Sequence, residues 1–419
     1  APRTVKLLKE LPEPVEAIGF FDPTDPQQMV VRSQVDDLLH EFQRRSDRFT
    51  YRYVDPDLDR VTAQYYQVTQ YQTIVFEGKE SGRRHSIVAP AQEQDLVTAL
   101  LIATGVDQKR VYFLTGHDER SILDVQDRSS GFGFAAGGLM SDNYRVTELN
   151  LLQVESVPQD TAVLVVAGPK RDLQEGEAAK LDEYLKRGGN IVFLLDPETP
   201  PTFRQFLERW GLKISDGQII DLASSIAGDP KTVVVPRFRY PPQVTQVGQV
   251  TVGLSDTYYA GVASIEPAKN PQEMPTVALY QLAITSANSY LVKDPNQTQP
   301  AEGDPQGPFV IAAGVEAIGP VDEPPPQDPA RAPRAKMVVF GDSDFASNLW
   351  FFNSTNSDFL LNAVNWAAGD VNLIDIRPKP RIFREWVVTR TEMDFVRYSS
   401  WFLLPLAMAA LGGVAWWRR

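Results

Sequence analysis

The chain has 419 residues, 43% of them hydrophobic, and a formal net charge of -13. That length supports two or three domains with real cores. The acidic balance speaks against nucleic acid as a partner, because phosphate binding needs a surplus of Lys and Arg. The chain has no cysteine, which excludes disulfides, thiolate chemistry and Cys-type zinc or iron–sulfur sites. His40, His85 and His117 are its three histidines, a small supply for metal or acid–base chemistry. No metal site and no cofactor are expected.

Residues 1–105 read as a first domain. VEAIGFF (15–21) is a buried strand, and Val31, Val35, Leu38, Leu39 and Phe42 follow at helical spacing. FTYRYVD (49–55) alternates as a strand does, and RVTAQYYQV (60–68) is a short helix. YQTIVFEG (71–78) and RRHSIVA (83–89) form a hairpin, and QEQDLVTALLIAT (92–104) closes as a helix. The order β-α-β-α-β-β-α resembles a thioredoxin-like fold. Asp22-Pro23-Thr24-Asp25-Pro26 stands where that family carries its redox motif, and Gln72 stands where it carries a proline before the third strand. Redox catalysis is therefore excluded, and a binding or spacer role remains. His40 and His85 read as structural. Asp55, Asp57 and Asp59 read as a polar turn, since no EF-hand glycine or glutamate accompanies them.

Residues 106–372 read as a second domain. Its strands are KRVYFLTGHDE (109–119), YRVTELNL (144–151), TAVLVVAGPK (161–170), NIVFLLDPE (190–198) and MVVFGDSDF (337–345). Helices are expected over 175–189, over TFRQFLERWG (202–211) and over 359–369. Continuous apolar strands alternating with helices indicate a parallel sheet covered on both faces. The expectation is a doubly wound α/β domain of flavodoxin or glutamine-amidotransferase-like type. Amidotransferase chemistry is excluded, because its nucleophile is a cysteine. Residues 231–334 read as a β-rich insertion ending in PVDEPPPQDPARAPR (320–334), a proline-rich linker and mobile exit loop.

After a juxtamembrane linker (373–397), residues 398–417 carry no charge. About 20 apolar residues in a helix span the roughly 30 Å core of a bilayer. Trp401, Trp416 and Trp417 sit near the ends of this segment, where interfacial aromatics belong, and Arg418 and Arg419 follow it. The expectation is a C-terminal transmembrane helix in the cytoplasmic (inner) membrane. Its C-terminus would be cytoplasmic, and the large soluble part would lie on the extracytoplasmic face. Residues 1–30 hold no signal peptide. Export of the soluble part therefore calls for a membrane segment upstream of Ala1.

Open α/β sheets bind ligands at the carboxyl ends of their strands. Here those ends carry Gly116-His117-Asp118-Glu119, Gly168-Pro169-Lys170, Asp196-Pro197-Glu198 and Gly341-Asp342-Ser343-Asp344. His117, Asp118, Asp196, Asp342, Ser343 and Asp344 are the candidate ligand-binding residues. The Gly-Asp-Ser run suggests a GDS-type esterase, but no histidine follows Ser343. His117 could serve as base only from another strand end. Asp and Ser are also ordinary residues at strand ends and helix caps. No catalytic residue is assigned. SSGFGFAAGGL (129–139) lacks dinucleotide or P-loop spacing and reads as a loop entering a helix.

A family resemblance rests on several motifs in order. They are EPVEAIGFFDP, RSQVDDLLHEFQRRS, YRYVDPD, VYFLTGHDE, LDEYLKRGGNIVFLLDP, VVFGDSDFASN and FLLNAVNWAAGD. Together they resemble the gliding-motility-associated (GldG-like) auxiliary proteins of ABC-type transport systems. The resemblance implies a non-enzymatic, membrane-anchored subunit whose partners are an ABC permease and an ATPase. Membrane lipid and another copy or another extracytoplasmic subunit are further partners it admits. The alternative is an extracytoplasmic ligand binder or vestigial hydrolase using the strand-end crevice. The resemblance names no transported substrate and does not by itself imply gliding.

Overall fold

The computed structural model describes residues 2–105, 108–226, 228–240, 246–370 and 390–417. The first region runs α1 (Pro2–Lys9), β1 (Val15–Phe20), α2 (Pro26–Arg45), β2 (Phe49–Val54), α3 (Arg60–Tyr65), β3 (Thr73–Gly78), β4 (Arg84–Val88) and α4 (Glu93–Ala103). Asp25 starts α2 by accepting the Gln27 N–H at 2.8 Å, with Pro26 in the first turn. One stripe of α2 (Val35, Leu39 and Phe42) is buried in a core with Phe49, Phe76 and Leu100. The sheet order is β2-β1-β3-β4, with β1 parallel to β2, and β3 antiparallel to both β1 and β4. This is a thioredoxin-like strand arrangement. Gln72 has φ 61, and its N–H donates to the Phe20 carbonyl at 2.8 Å. Proline could do neither, because its ring fixes φ near -65° and removes the donor.

The second region continues with β5 (Arg110–Thr115), α5 (Gly133–Ser141), β6 (Arg145–Asn150), β7 (Thr161–Ala167), α6 (Glu177–Lys186), β8 (Asn190–Leu194) and α7 (Pro201–Arg209). Nine strands follow: β9 (Leu212–Ile214), β10 (Gln218–Asp221), β11 (Ser225–Ile226), β12 (Asp229–Val235), β13 (Thr257–Ala260), β14 (Ile265–Pro267), β15 (Val277–Ile284), β16 (Ser289–Val292) and β17 (Val310–Ala317). β18 (Ala335–Phe340) and α8 (Asn356–Ala368) complete the body.

The main sheet has seven strands in the order β15-β17-β18-β8-β7-β5-β6. Its five strands β6-β5-β7-β8-β18 are mutually parallel. Counted along the chain they run 2-1-3-4-5, the flavodoxin-like order, whose switch point lies between β5 and β7. Alternation along the strands feeds two cores. Val165, Val192 and Val338 pack with Leu139 of α5 and Phe359 of α8. Leu164, Phe193 and Val339 pack with Leu181 of α6 and Phe203 of α7. Helices therefore cover both faces.

The stretch expected as a separate β-rich insertion is partly built into this sheet. β17 lies against β18, and β15 lies outside β17, both pairings antiparallel. β17 is rich in small residues and almost wholly buried. A side chain at Gly314 would sit 2.6 Å from Val247, so the close packing there needs glycine. The remaining strands form small sheets, β9 with β14, β10 with β16, and β11-β12-β13. The proline-rich exit is held at its start. Glu323 meets Lys186 at 2.6 Å and also pairs with Arg209, which meets Asp322 at 3.3 Å.

The C-terminal segment differs from the uninterrupted helix expected over 398–417. It is divided into α9 (Arg390–Tyr398), a wider π turn (Ser399–Leu403) and α10 (Leu404–Trp417). Pro405, second in α10, cannot donate the hydrogen bond that would run back one turn, and the break falls there. Among the described residues, no helix is long and apolar enough to cross a membrane.

Candidate functional site at the strand ends

β8 runs into Asp196, and β18 runs through Gly341 and Asp342 into Ser343. The Asp196 carboxylate accepts both groups of Ser343, the backbone N–H on Oδ1 at 2.8 Å and the hydroxyl on Oδ2 at 3.0 Å. Lys170, just past β7, donates to the same Oδ2 at 2.7 Å. Arg120, just past β5, donates from Nε to Ser343 Oγ at 3.0 Å and from Nη1 to the Ser129 carbonyl at 2.7 Å. Its Nη2 pairs with Asp344. Gly168 makes this convergence possible. Its φ is +62, and a Cβ there would lie 2.7 Å from Ser343 Oγ.

Asp342 is fully buried. It accepts the N–H of Asp344 at 2.7 Å and of Ala260 at 2.8 Å. Burial, together with the charges of Asp344 and Asp196, pushes its carboxyl well above the usual range. Burial also raises Asp344, against the pull of the Arg120 charge. An aspartate at a strand end ordinarily caps backbone N–H groups. Asp342 has that duty, and Asp344 instead faces a guanidinium.

His117 belongs to a different cluster. It is 1% exposed. Its Nδ1 lies 2.8 Å from Glu119 Oε1 and its Nε2 lies 2.7 Å from Glu177 Oε2. Glu119 reaches back from the same turn and also accepts the His117 N–H at 2.7 Å. Glu177 opens α6 and also accepts the Gln174 N–H at 2.7 Å. Burial alone would lower the imidazolium pKa. The hydrogen bonds and charges of the two glutamates outweigh it and raise the pKa to about 9. Asp118 points elsewhere, pairing with Arg171 at 2.7 Å on the exposed surface.

The six candidates thus separate. Asp196, Asp342, Ser343 and Asp344 share one network, while His117 and Asp118 lie outside it. The hydroxyl of Ser343 donates to the Asp196 carboxylate and accepts from the Arg120 guanidinium, and the residue is fully buried, so the hydroxyl is not presented to a substrate. Both ring nitrogens of His117 are engaged by glutamates rather than by Ser343. Among the described residues, no group of three or more His, Asp or Glu could hold a metal ion. Sequence reasoning placed Lys170 at a strand end without assigning it a role, and it missed Arg120 and Glu177. Arg120 and Lys170 directly follow strand-end turns, in HDER and GPK, which was the available signal. At the C-terminus Trp401 is 71% exposed. Trp416 and Trp417 end α10, and Arg418 and Arg419 lie outside the described residues.

A family model described as ABC-type uncharacterized transport system matches residues 108–363. The chain belongs to this family. Membership gives it an auxiliary role in an ABC-type transport system and implies association with an ABC transporter. A second model, described as a domain of unknown function (DUF7088), matches residues 1–91. No curated protein matches the chain. Among solved structures, the mmIFT52 N-terminal domain is similar at 13% identity and TM-score 0.43, over 62% of this chain and 97% of that one. A ThuA-like protein from Bacteroides uniformis is similar at 14% identity and TM-score 0.35, over 62% and 91%. An alkylhydroperoxide reductase chain from Enterococcus faecalis is similar at 15% identity and TM-score 0.22, over 36% and 75%.

Proposed function

We propose that this family member is a non-enzymatic, membrane-attached auxiliary subunit of the GldG-like kind. Its body would lie on the extracytoplasmic face of the cytoplasmic membrane, beside a permease and an ATPase. The match of the transport-system family to residues 108–363 carries the reading. Two further observations support it. Ser343 and His117 are both buried, at 0% and 1% exposure, which keeps their side chains away from any substrate at the surface. The C-terminal segment displays apolar side chains to solvent, with Phe402, Leu406, Met408 and Leu411 each more than half exposed. Exposed apolar surface on that scale favours lipid or a partner helix. Attachment would use 390–417 as a broken helix.

The test is a mild-detergent pull-down from native membranes, comparing the intact chain with a truncation lacking 398–419. The expected result is a permease and an ATPase recovered in fixed ratio with the intact chain and lost with the truncation. Recovery of the intact chain alone would overturn the subunit reading. Undiminished recovery with the truncated chain would overturn docking through the terminal helix.

A further inference from the structure

The turn after β5, the start of α5 and the loop after β18 meet at the carboxyl edge of the main sheet and leave apolar side chains facing solvent. Leu123 and Val125 lie in the turn, Phe134 in α5, and Leu349 and Phe352 in the loop, with Leu123 76% and Phe352 62% exposed. The patch is continuous. The rings of Phe134 and Phe352 lie 5.2 Å apart, and Gly133 leaves room for Val125 against the start of α5. The buried Asn348 ties the three pieces together. Its Oδ1 accepts the Phe134 N–H at 3.0 Å, and its Nδ2 donates to the carbonyls of Asp124 at 2.8 Å and Asp127 at 2.9 Å. Exposed apolar surface held in place this way marks an interface.

The charges around the patch select its partner. Asp124 and Asp127 lie in the same turn, and Asp256 lies beside the loop, where its carbonyl accepts the Thr355 N–H at 3.3 Å. Arg128 is the exposed cation of that turn, since Arg120 is turned inward to Ser343 and Asp344. Three carboxylates against one cation favour an apolar group that brings positive charge, and they repel anionic lipid headgroups. The same face of the molecule displays such a group. A short helical turn after β12 (Arg237–Arg239) carries Phe238, 81% exposed, next to the exposed Arg237. The base of this turn is fixed. Arg239 lies 3.7 Å from the buried Asp221. The Tyr240 hydroxyl lies 2.6 Å from Thr257 Oγ1, and its ring lies 5.9 Å from that of Phe359 near the start of α8. Thr257 directly follows Asp256, so the turn and the patch flank one another across the start of β13.

We propose that two copies of this chain pair through this face, with Phe238 and Arg237 of each copy entering the acid-rimmed patch of the other. The turn and the patch lie on one face, so a twofold axis satisfies both contacts at once and the assembly closes as a dimer. This face lies away from the point where the chain leaves the body. Asp370 follows α8 at the opposite edge of the sheet, where Lys109, ahead of β5, donates to it at 2.7 Å and to the Ala368 carbonyl at 2.8 Å. Pairing therefore leaves that edge open to the terminal segment.

The test uses the full chain in mild detergent. The chain has no cysteine, so introduced cysteines report contacts without background. Phe238→Cys and Phe352→Cys chains are mixed and treated with a short bismaleimide. Cross-linking should be strong in the mixture and weak for either variant alone, because the contact joins position 238 of one copy to position 352 of the other. Sedimentation equilibrium should show a dimer whose dissociation constant rises about tenfold in Phe238→Ser and in Phe352→Ser, the effect of losing one aromatic anchor. Arg237→Glu should weaken pairing as well, and adding Asp256→Lys should restore it by exchanging the charges. Circular dichroism checks that each variant keeps its fold. A chain that stays monomeric up to about 100 µM would overturn the pairing. So would binding of the monomer to anionic phosphatidylglycerol vesicles that Phe352→Ser abolishes, which would assign the patch to lipid. A dimer that neither phenylalanine substitution weakens would place the contact elsewhere and overturn this geometry.

Discussion

Two polar clusters stand at the same edge of the seven-stranded sheet and manage charge in opposite ways. At the end of β5, His117 is sealed between Glu119 and Glu177, with the facing side chains 1% exposed. At the ends of β8 and β18, the buried Asp196 and Asp342 connect to a rim that meets water, where the Lys170 side chain is 44% and the Asp344 side chain 36% exposed. In the open cluster, Lys and Arg carry the positive charge at every ordinary pH. In the sealed cluster one imidazolium carries it alone. The sealed cluster should therefore respond strongly to loss of one group and to alkaline pH, and the open cluster should respond mildly to both.

The sharpest break in that comparison is His117→Ala. It leaves two buried carboxylates without their counter-charge, and removing one partner of a buried ion pair costs about 3–5 kcal/mol. Urea unfolding should show a loss of that size. A loss under 1 kcal/mol would mean that water replaces the imidazolium and that the cluster is not sealed.

Alkaline pH should separate the clusters next. The ordinary histidine pKa of 6.5 is raised to about 9 in the folded chain. A raised pKa means the proton is held more tightly in the folded state. The stabilisation is fully present below pH 6.5 and is lost as pH rises through about 9. Melting temperature should fall across that window. The His117→Gln variant has nothing to titrate there and should show no matching decline. An unchanged pH profile between the two proteins would remove His117 as the titrating group.

Substitutions in the open cluster come lower on the scale. Gly168→Ala must place a Cβ 2.7 Å from Ser343 Oγ at φ +62. Strain of that kind costs about 1–3 kcal/mol, to be read by chemical denaturation. Ser343→Ala should cost about 1–2 kcal/mol. Asp196 keeps Lys170 after that change, but Arg120 Nε loses its acceptor. A Ser343→Ala variant as stable as the unaltered chain would show that the hydroxyl bonds add nothing net.

These costs bear on what the sequence could reveal. The strands β5, β7, β8 and β18 were readable because each is a continuous apolar run, and a strand buried on both faces needs nothing else. The glycine after β7 was visible too, but not its reason, since Ser343 lies far along the chain. Glu177 was read only as part of an amphipathic helix, because its partner His117 is 60 residues away. Periodicity reports which face is buried and not which buried polar atom meets which. β15 and β17 were read as strands, but strand propensity carries no address, so their place in the main sheet was hidden. The break before α10 was written in Pro405. Membrane helices tolerate proline, so its presence alone does not mark a break.

The smallest effect should come from Asp118, the candidate whose side chain joins neither network. It pairs with Arg171, but both side chains are more than half exposed. Exposed pairs contribute about 0–1 kcal/mol. Asp118 also sits at φ 58, where a side chain is disfavoured and glycine is at ease. Asp118→Gly therefore loses a weak ion pair and relieves a strained backbone, while the flexible glycine adds entropy to the unfolded chain. The three contributions are of similar size, and the net change should stay within about 0.5 kcal/mol. Denaturant midpoints measured in low and high salt resolve the balance. The ion-pair part is screened by salt and the backbone part is not, so the variant should gain on the unaltered chain as salt rises. A loss above 1 kcal/mol would show that the His117 turn needs Asp118 to hold its shape, which would tie the exposed pair to the sealed cluster beneath it.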